Sequence, residues 1–278
     1  MTNTKESGLT LVLGGTGKTG RRVVERLEAL DVSVRMGSRS AAPAFDWEDE
    51  ATWAPVLRDV DAVYLVYYPD LAVPAAPGAI RAFTAKAVDA GVRRIVLLSG
   101  RGEEEARECE RIVQGSGLEW TVVRASWFAQ NFSEDYLLDP VRAGEVVLPA
   151  ADVPEPFADA DDIADVAVAA LTQDGHAGEV YEVTGPRALT FAEAVAEIGR
   201  AAGRDIAYVP VGAADYAGAL REHGLPDDVV DLLIYLFTTV LDGRNSRPAD
   251  GVRRALGREP KDFADYARET AASGIWTA

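Results

Sequence analysis

Residues 11–20, LVLGGTGKTG, carry two phosphate-binding spellings at once. Gly17-Lys18-Thr19 ends like the Gly-Lys-Ser/Thr of a triphosphate loop, whereas Gly15-x-Gly17-x-x-Gly20 is the pattern that cradles a dinucleotide pyrophosphate. The triphosphate reading needs another glycine five positions before Gly17, and Val12 stands there inside an apolar run. No convincing partner aspartate follows an apolar strand either. The dinucleotide reading needs a strand, a glycine turn and a helix in that order. The run over residues 9–13 and the helical pattern GRRVVERLEAL supply both flanks. Gly14 or Gly15 makes the turn, with Thr16 in the loop. Gly17 then lets backbone approach the phosphates, Gly20 lets helix and strand close up, and the amides of Lys18 and Thr19 open the helix toward the anion.

The end of the next apolar run, residues 32–36, selects the cofactor. An acid there would bind ribose hydroxyls, but RMGSRS offers Ser38, Arg39 and Ser40, which suit a 2′-phosphate and hence NADP(H). Tyr67 and Tyr68 close the run over residues 61–67, where ligands of open parallel sheets collect; Tyr67 is expected against the cofactor and Tyr68 against the substrate. Ser99 and Gly100 end the run RIVLLSG and are expected beside the nicotinamide ribose, with Ser99 as the one candidate catalytic hydroxyl. The next segment, RGEEEARECERIV, contains no tyrosine and no lysine. Glu103 and Arg107 fall at i, i+4, for which an exposed helix-face ion pair is the simpler reading. Ketone reduction generates an alkoxide that needs a proton donor or an oxyanion site, whereas hydride alone neutralises a cationic iminium. Short apolar runs alternating with helical patterns imply parallel βαβ units, so the expected class is α/β, a doubly wound parallel sheet. Residues 1–150 are expected to form the core of the NADP-binding domain, which also receives later segments, and 151–278 a smaller, mostly helical substrate-side subdomain.

With 45 acidic and 28 basic side chains the formal charge is −17, which argues against nucleic acid or anionic membrane as partner. One cysteine and two histidines leave no basis for a disulfide or a metal site. A cytoplasmic protein, monomer or homodimer, acting on a small molecule is expected.

Several longer stretches carry a resemblance. GGTGKTGRRV at 14–23, FDWEDEATW at 45–53, DAVYLVYYPD at 61–70, WTVVRASWFAQNFSED at 120–135, ADDIADVA at 160–167 and the tail GREPKDFADYA resemble the NmrA-like atypical short-chain dehydrogenases. Within them the chain is most similar to the festuclavine/agroclavine dehydrogenase group. The resemblance implies an NADPH-binding subunit that lacks the Tyr-x-x-x-Lys pair of ordinary short-chain dehydrogenases and passes hydride to an imine or iminium. Quinone or carbonyl reduction, and a non-catalytic NADP sensor acting through a protein partner, stay open as alternatives. Trp127, Phe128, Asn131, Phe132 and Tyr136, with Phe157, are the expected substrate contacts: an aromatic wall suits a flat or cationic molecule.

Overall fold

The computed structural model describes residues 8–277. Strand β1 (Leu9–Leu13) leads into helix α1 (Lys18–Ala29) and strand β2 (Val34–Gly37). Helix α2 (Trp53–Leu57) precedes β3 (Val60–Leu65), and α3 (Ala76–Asp89) connects it to β4 (Arg94–Gly100). Helix α4 (Glu104–Gln114) then leads to β5 (Glu119–Ala125). Short elements follow: α5 (Asn131–Glu134), α6 (Leu138–Ala143) and β6 (Glu145–Leu148). The remainder is α7 (Ala160–Thr172), β7 (Glu179–Val183), α8 (Phe191–Ala202), β8 (Ala207–Pro210), α9 (Ala213–Glu222), α10 (Asp227–Tyr235), α11 (Gly251–Leu256) and α12 (Phe263–Ala272).

Six strands form one sheet in the order β2-β1-β3-β4-β5-β7, and the first five pair in parallel. This is the doubly wound α/β sheet expected from the alternating pattern. Leu11, Leu13, Val63, Leu65, Ile95, Leu97, Val122 and Val123 are fully buried, as strands covered on both faces require. Helix α1 buries Val23, Val24 and Leu27 at helical spacing. Its polar side reaches α7 through Arg22 and Arg26, whose guanidiniums lie 3.2 and 2.8 Å from Asp161; Arg26 is also 2.5 Å from Asp165.

Several strand boundaries differ from the sequence expectation, two of them for a clear local reason. Strand β2 starts at Val34 instead of residue 32 because Asp31 is left-handed (φ 58°) and the Val32 amide still bonds to Leu27, ending α1. Strand β3 stops at Leu65 instead of residue 67: the Val66 carbonyl accepts from Trp47 Nε1 at 3.2 Å, which takes it out of the ladder.

The chain divides into two compact units. The first comprises residues 1–125, 160–182 and 251–258, so the division falls ahead of residue 150 and later segments return to the first unit. The FDWEDEATW stretch makes an aromatic box here. Phe45, Trp47, Trp53 and Phe83 lie within 5.0–6.4 Å of one another, and Trp53 Nε1 donates to the Asp46 carbonyl at 2.7 Å. The second unit, residues 126–159, 183–250 and 259–278, holds the parallel pair β6–β8 and the helices around it. Thr190 and Glu193 cap α8 reciprocally, as their spacing predicts. Phe132, Phe157, Phe191 and Phe263 are its centre, and Trp276 Nε1 donates to the Phe132 carbonyl at 2.8 Å.

Candidate cofactor site and its surroundings

The in-register parallel pairing Leu13↔Gly37, Leu65↔Leu97 and Gly100↔Ala125 brings the ends of five strands to one edge of the sheet. The β1–α1 loop sits there. Gly14 is left-handed (φ 61°), and Gly17 donates to the Gly14 carbonyl at 2.8 Å, which makes the tight turn. A Cβ on Gly20 would fall 2.1 Å from that same carbonyl oxygen, so only glycine lets α1 start so close to the strand. Gly14, Thr16 and Gly17 are exposed, Lys18 is half-buried, and Gly15 is covered by Met36. The N-cap Gly17 has no side chain and the first turn of α1 has no acid, so the opening amides keep their pull on an anion. These features fit a dinucleotide pyrophosphate.

At the end of β2, Arg39 is exposed on a loop that Ser38 braces by accepting from the amides of Ala41 and Phe45. The hydroxyls of Ser38 and Ser40 are 3.3 Å apart beside it. Two hydroxyls and a guanidinium fit a phosphate ester. Beyond β3, half-buried Tyr67 leans on Trp47 (4.9 Å), and burial first, then the charges of Cys109 and Glu48, push its phenol pKa up. Tyr68 is 76% exposed.

The end of β4 is where the structure departs most from the sequence expectation. The Ser99 hydroxyl is buried and donates to Glu110 Oε1 at 2.7 Å. Glu110 also takes two bonds from Arg124 on β5, at 2.8 and 2.5 Å, and Arg124 bonds Glu182 on β7 at 2.7 Å. Burial works against the charge of Glu182, but hydrogen bonds and charge from Arg124 and Arg101 hold its carboxylate below the usual range. The Ser99 hydroxyl therefore takes part in this buried network. Glu103 and Arg107 form no exposed ion pair: Arg107 is exposed and 3.9 Å from Glu110, while Glu103 is buried. The Glu103 carboxyl packs on Gly100, where a Cβ would meet its Oε1 at 1.9 Å. Burial first, then the charge of Asp70, raises the Glu103 pKa well above the ordinary carboxylate range. Asp70 was not marked by any spacing in the sequence; it meets Glu103 only through the fold.

In the second unit, Phe132 and Phe157 are 0% and 3% exposed among other phenylalanines, so they are core and present no wall to a substrate. Trp127, Phe128, Asn131 and Tyr136 are half-buried. Trp127 stacks near Phe237 (4.8 Å), which contacts Tyr216 (5.9 Å). The Tyr136 hydroxyl is enclosed with no hydrogen-bond partner, and burial pushes its pKa well up. Cys109 is buried on α4, and burial pushes its thiol up to about 12, so it is inert. No group of His, Cys, Asp and Glu among the described residues could hold a metal ion, and no helix there is long and apolar enough to cross a membrane.

Comparison with known proteins agrees with this geometry. Residues 14–174 match the protein family described as NAD(P)H-binding. Agroclavine dehydrogenase of Claviceps fusiformis is 32% identical over 287 residues, covering 96% of this chain and 98% of that protein. An NAD(P)H azoreductase of Xenophilus azovorans is 31% identical over 289 residues, covering 95% and 99%. Among solved structures, the Escherichia coli NADPH-dependent quinone oxidoreductase QOR2 complexed with NADPH superposes with a TM-score of 0.79 at 24% identity, covering 94% of this chain and 99% of that one. The chain belongs to the NAD(P)H-binding, NmrA-like family of oxidoreductases.

Proposed function

We propose that the protein is an NADPH-dependent reductase that delivers hydride to an imine, an iminium or a similarly activated double bond of a small cyclic or aromatic substrate. The observation that carries this reading is the segment after β4: RGEEEARECERIV contains no tyrosine and no lysine, and the Ser99 hydroxyl donates to Glu110. Such a site favours acceptors already activated for hydride attack. The azoreductase, about a third identical over nearly the whole chain, has a name that fits an N=N acceptor, and agroclavine dehydrogenase, similarly identical, is a named dehydrogenase. When bound, the reduced nicotinamide supplies the hydride. The chain's part is to grip the pyrophosphate through the loop from Gly14 to Gly20, hold the 2′-phosphate through Arg39, Ser38 and Ser40, and flank the ring with Tyr67 and Gly100. Tyr68, Trp127, Phe128, Asn131 and Tyr136 are the substrate-contact candidates.

The test is NADPH oxidation against a panel of cyclic imines, N-alkylated iminium salts, azo dyes, quinones and ketones. Turnover of the imine and iminium group is expected first. Cofactor binding without turnover of any acceptor would replace the reductase reading with that of a sensor. Arg39→Ala is expected to raise the KM for NADPH by about 10- to 100-fold, the worth of one charge-assisted phosphate contact, with little change for NADH. An unchanged preference would remove Arg39 from the phosphate site.

A further inference from the structure

Strand β2 ends on an apolar side chain that faces water: Met36 is 45% exposed. The residue after it is tied to the glycine loop. Leu13 and Gly37 stand in register, and the Gly14 amide donates to the Gly37 carbonyl at 3.0 Å. The Met36 side chain itself reaches over the loop. A Cβ built on Gly15 would lie 3.1 Å from Met36 Cγ and 3.3 Å from Met36 Cβ, so the methionine stem packs closely on the Gly15 backbone. Gly15 is buried as a result, while its neighbours Gly14 and Thr16 are exposed. Ser38, Arg39 and Ser40 follow just beyond Gly37. Met36 therefore stands between the loop that fits a pyrophosphate and the residues that fit a 2′-phosphate.

Sulfur chemistry among the described residues falls to this side chain. The sequence has two methionines and one cysteine, and Met1 lies outside the described residues. Cys109 is fully buried, and burial pushes its thiol up to about 12. A thiol reacts with peroxide as its thiolate, so Cys109 resists it, whereas a thioether needs no deprotonation and only access.

We propose that Met36 is a reversible oxidation site that sets the affinity of the glycine loop for NADPH. This rests on reading the loop as the dinucleotide site and adds a control to it. A peroxide gives one oxygen atom to the Met36 sulfur: an S–O bond forms and the O–O bond breaks. The sulfur is oxidised by two electrons, and hydrogen peroxide is reduced to water. The sulfoxide oxygen carries partial negative charge and holds water around it. Beside a loop whose amides draw phosphates, it opposes the same anions and no longer packs as an apolar stem. A bound dinucleotide in turn covers the thioether and shields it. Thiol-dependent reduction by a methionine sulfoxide reductase restores the thioether and releases the oxygen as water. Peroxide thereby withdraws this protein from the NADPH pool, and reduction returns it.

In the test, hydrogen peroxide is applied to the protein and removed with catalase. Mass spectrometry then reads the peptide carrying Met36, and NADPH is titrated by fluorescence. One added oxygen atom on that peptide is expected, with the Kd for NADPH raised about tenfold and restored by methionine sulfoxide reductase. Met36→Leu keeps an apolar stem without the sulfur, and its Kd, whatever the starting value, is expected to be the same before and after peroxide. Saturating NADP+ during the treatment is expected to slow Met36 oxidation by about fivefold or more. A Met36 that stays unmodified, a sulfoxide that leaves the Kd unchanged, or equal oxidation rates with and without NADP+ overturn the proposal. So does a Met36→Leu protein that loses affinity as the wild type does. A urea midpoint that falls on oxidation assigns the loss to unfolding and overturns it too. Untreated protein that binds no NADPH overturns the reading of the loop itself, whereas insensitivity to peroxide leaves that reading standing.

Discussion

At the scale of single residues, Gly20 shows how little freedom the cofactor loop has. A methyl group there would enter the Gly14 carbonyl, and the clash lies between β1 and α1 within the glycine loop. Gly20→Ala is expected to cost about 1–3 kcal/mol in urea unfolding and to weaken NADPH binding, measured by fluorescence titration, at least as strongly. This residue was legible in the sequence, because the glycine spacing encodes close approach directly. Gly100 was legible as a strand-end residue, but not its purpose. Its missing side chain accommodates Glu103, and only the fold shows which side chain fills the gap.

At the scale of elements, β4, β5, β7 and α4 are tied by one buried charged network through Ser99, Glu110, Arg124 and Glu182. Removing one partner leaves the other charged and dry. Arg124→Met should therefore destabilise by about 3–5 kcal/mol in urea unfolding, while replacing Arg124 and Glu110 together with apolar residues should recover most of the loss. The helix pattern of α4 was readable from its sequence. Which strand would supply a cation to Glu110 was not, since Arg124 lies fourteen residues away in chain order. The FDWEDEATW stretch behaves in the same way: its specificity as a motif comes from an aromatic box and two satisfied indole N–H groups, not from contact chemistry.

At the scale of the whole molecule, pH couples to folding in opposite directions at different sites. Hydrogen bonds from Arg187 hold Asp262 low, and Arg124 and Arg101 hold Glu182 low, so both contribute stability above the ordinary carboxylate range that is lost as pH falls. Glu103 has the opposite sign. Its native pKa is raised, so between its unfolded and native values the folded chain binds more protons, and stability declines as pH rises. The net charge of −17 adds repulsion in the same direction. Subtracting the Glu103→Gln variant isolates the single group: as pH rises above the ordinary carboxylate range the variant should gain on the wild type, by at most about 1.4 kcal/mol per pH unit. Urea unfolding at each pH measures it, and parallel curves would count against a proton on Glu103.

By itself the sequence determined the alternation of strands and helices, the glycine loop, the phosphate-suited end of the second strand and the missing Tyr-Lys pair, because each is written in neighbouring residues and short periods. Tertiary structure alone decided which expected groups are available. Packing turned Ser99 to Glu110 and closed Phe132 and Phe157 into a core, and it brought Asp70 from beyond β3 onto Glu103 beyond β4. Burial and the partners a polar group finds depend on residues far apart in the chain, and no local spacing carries that information.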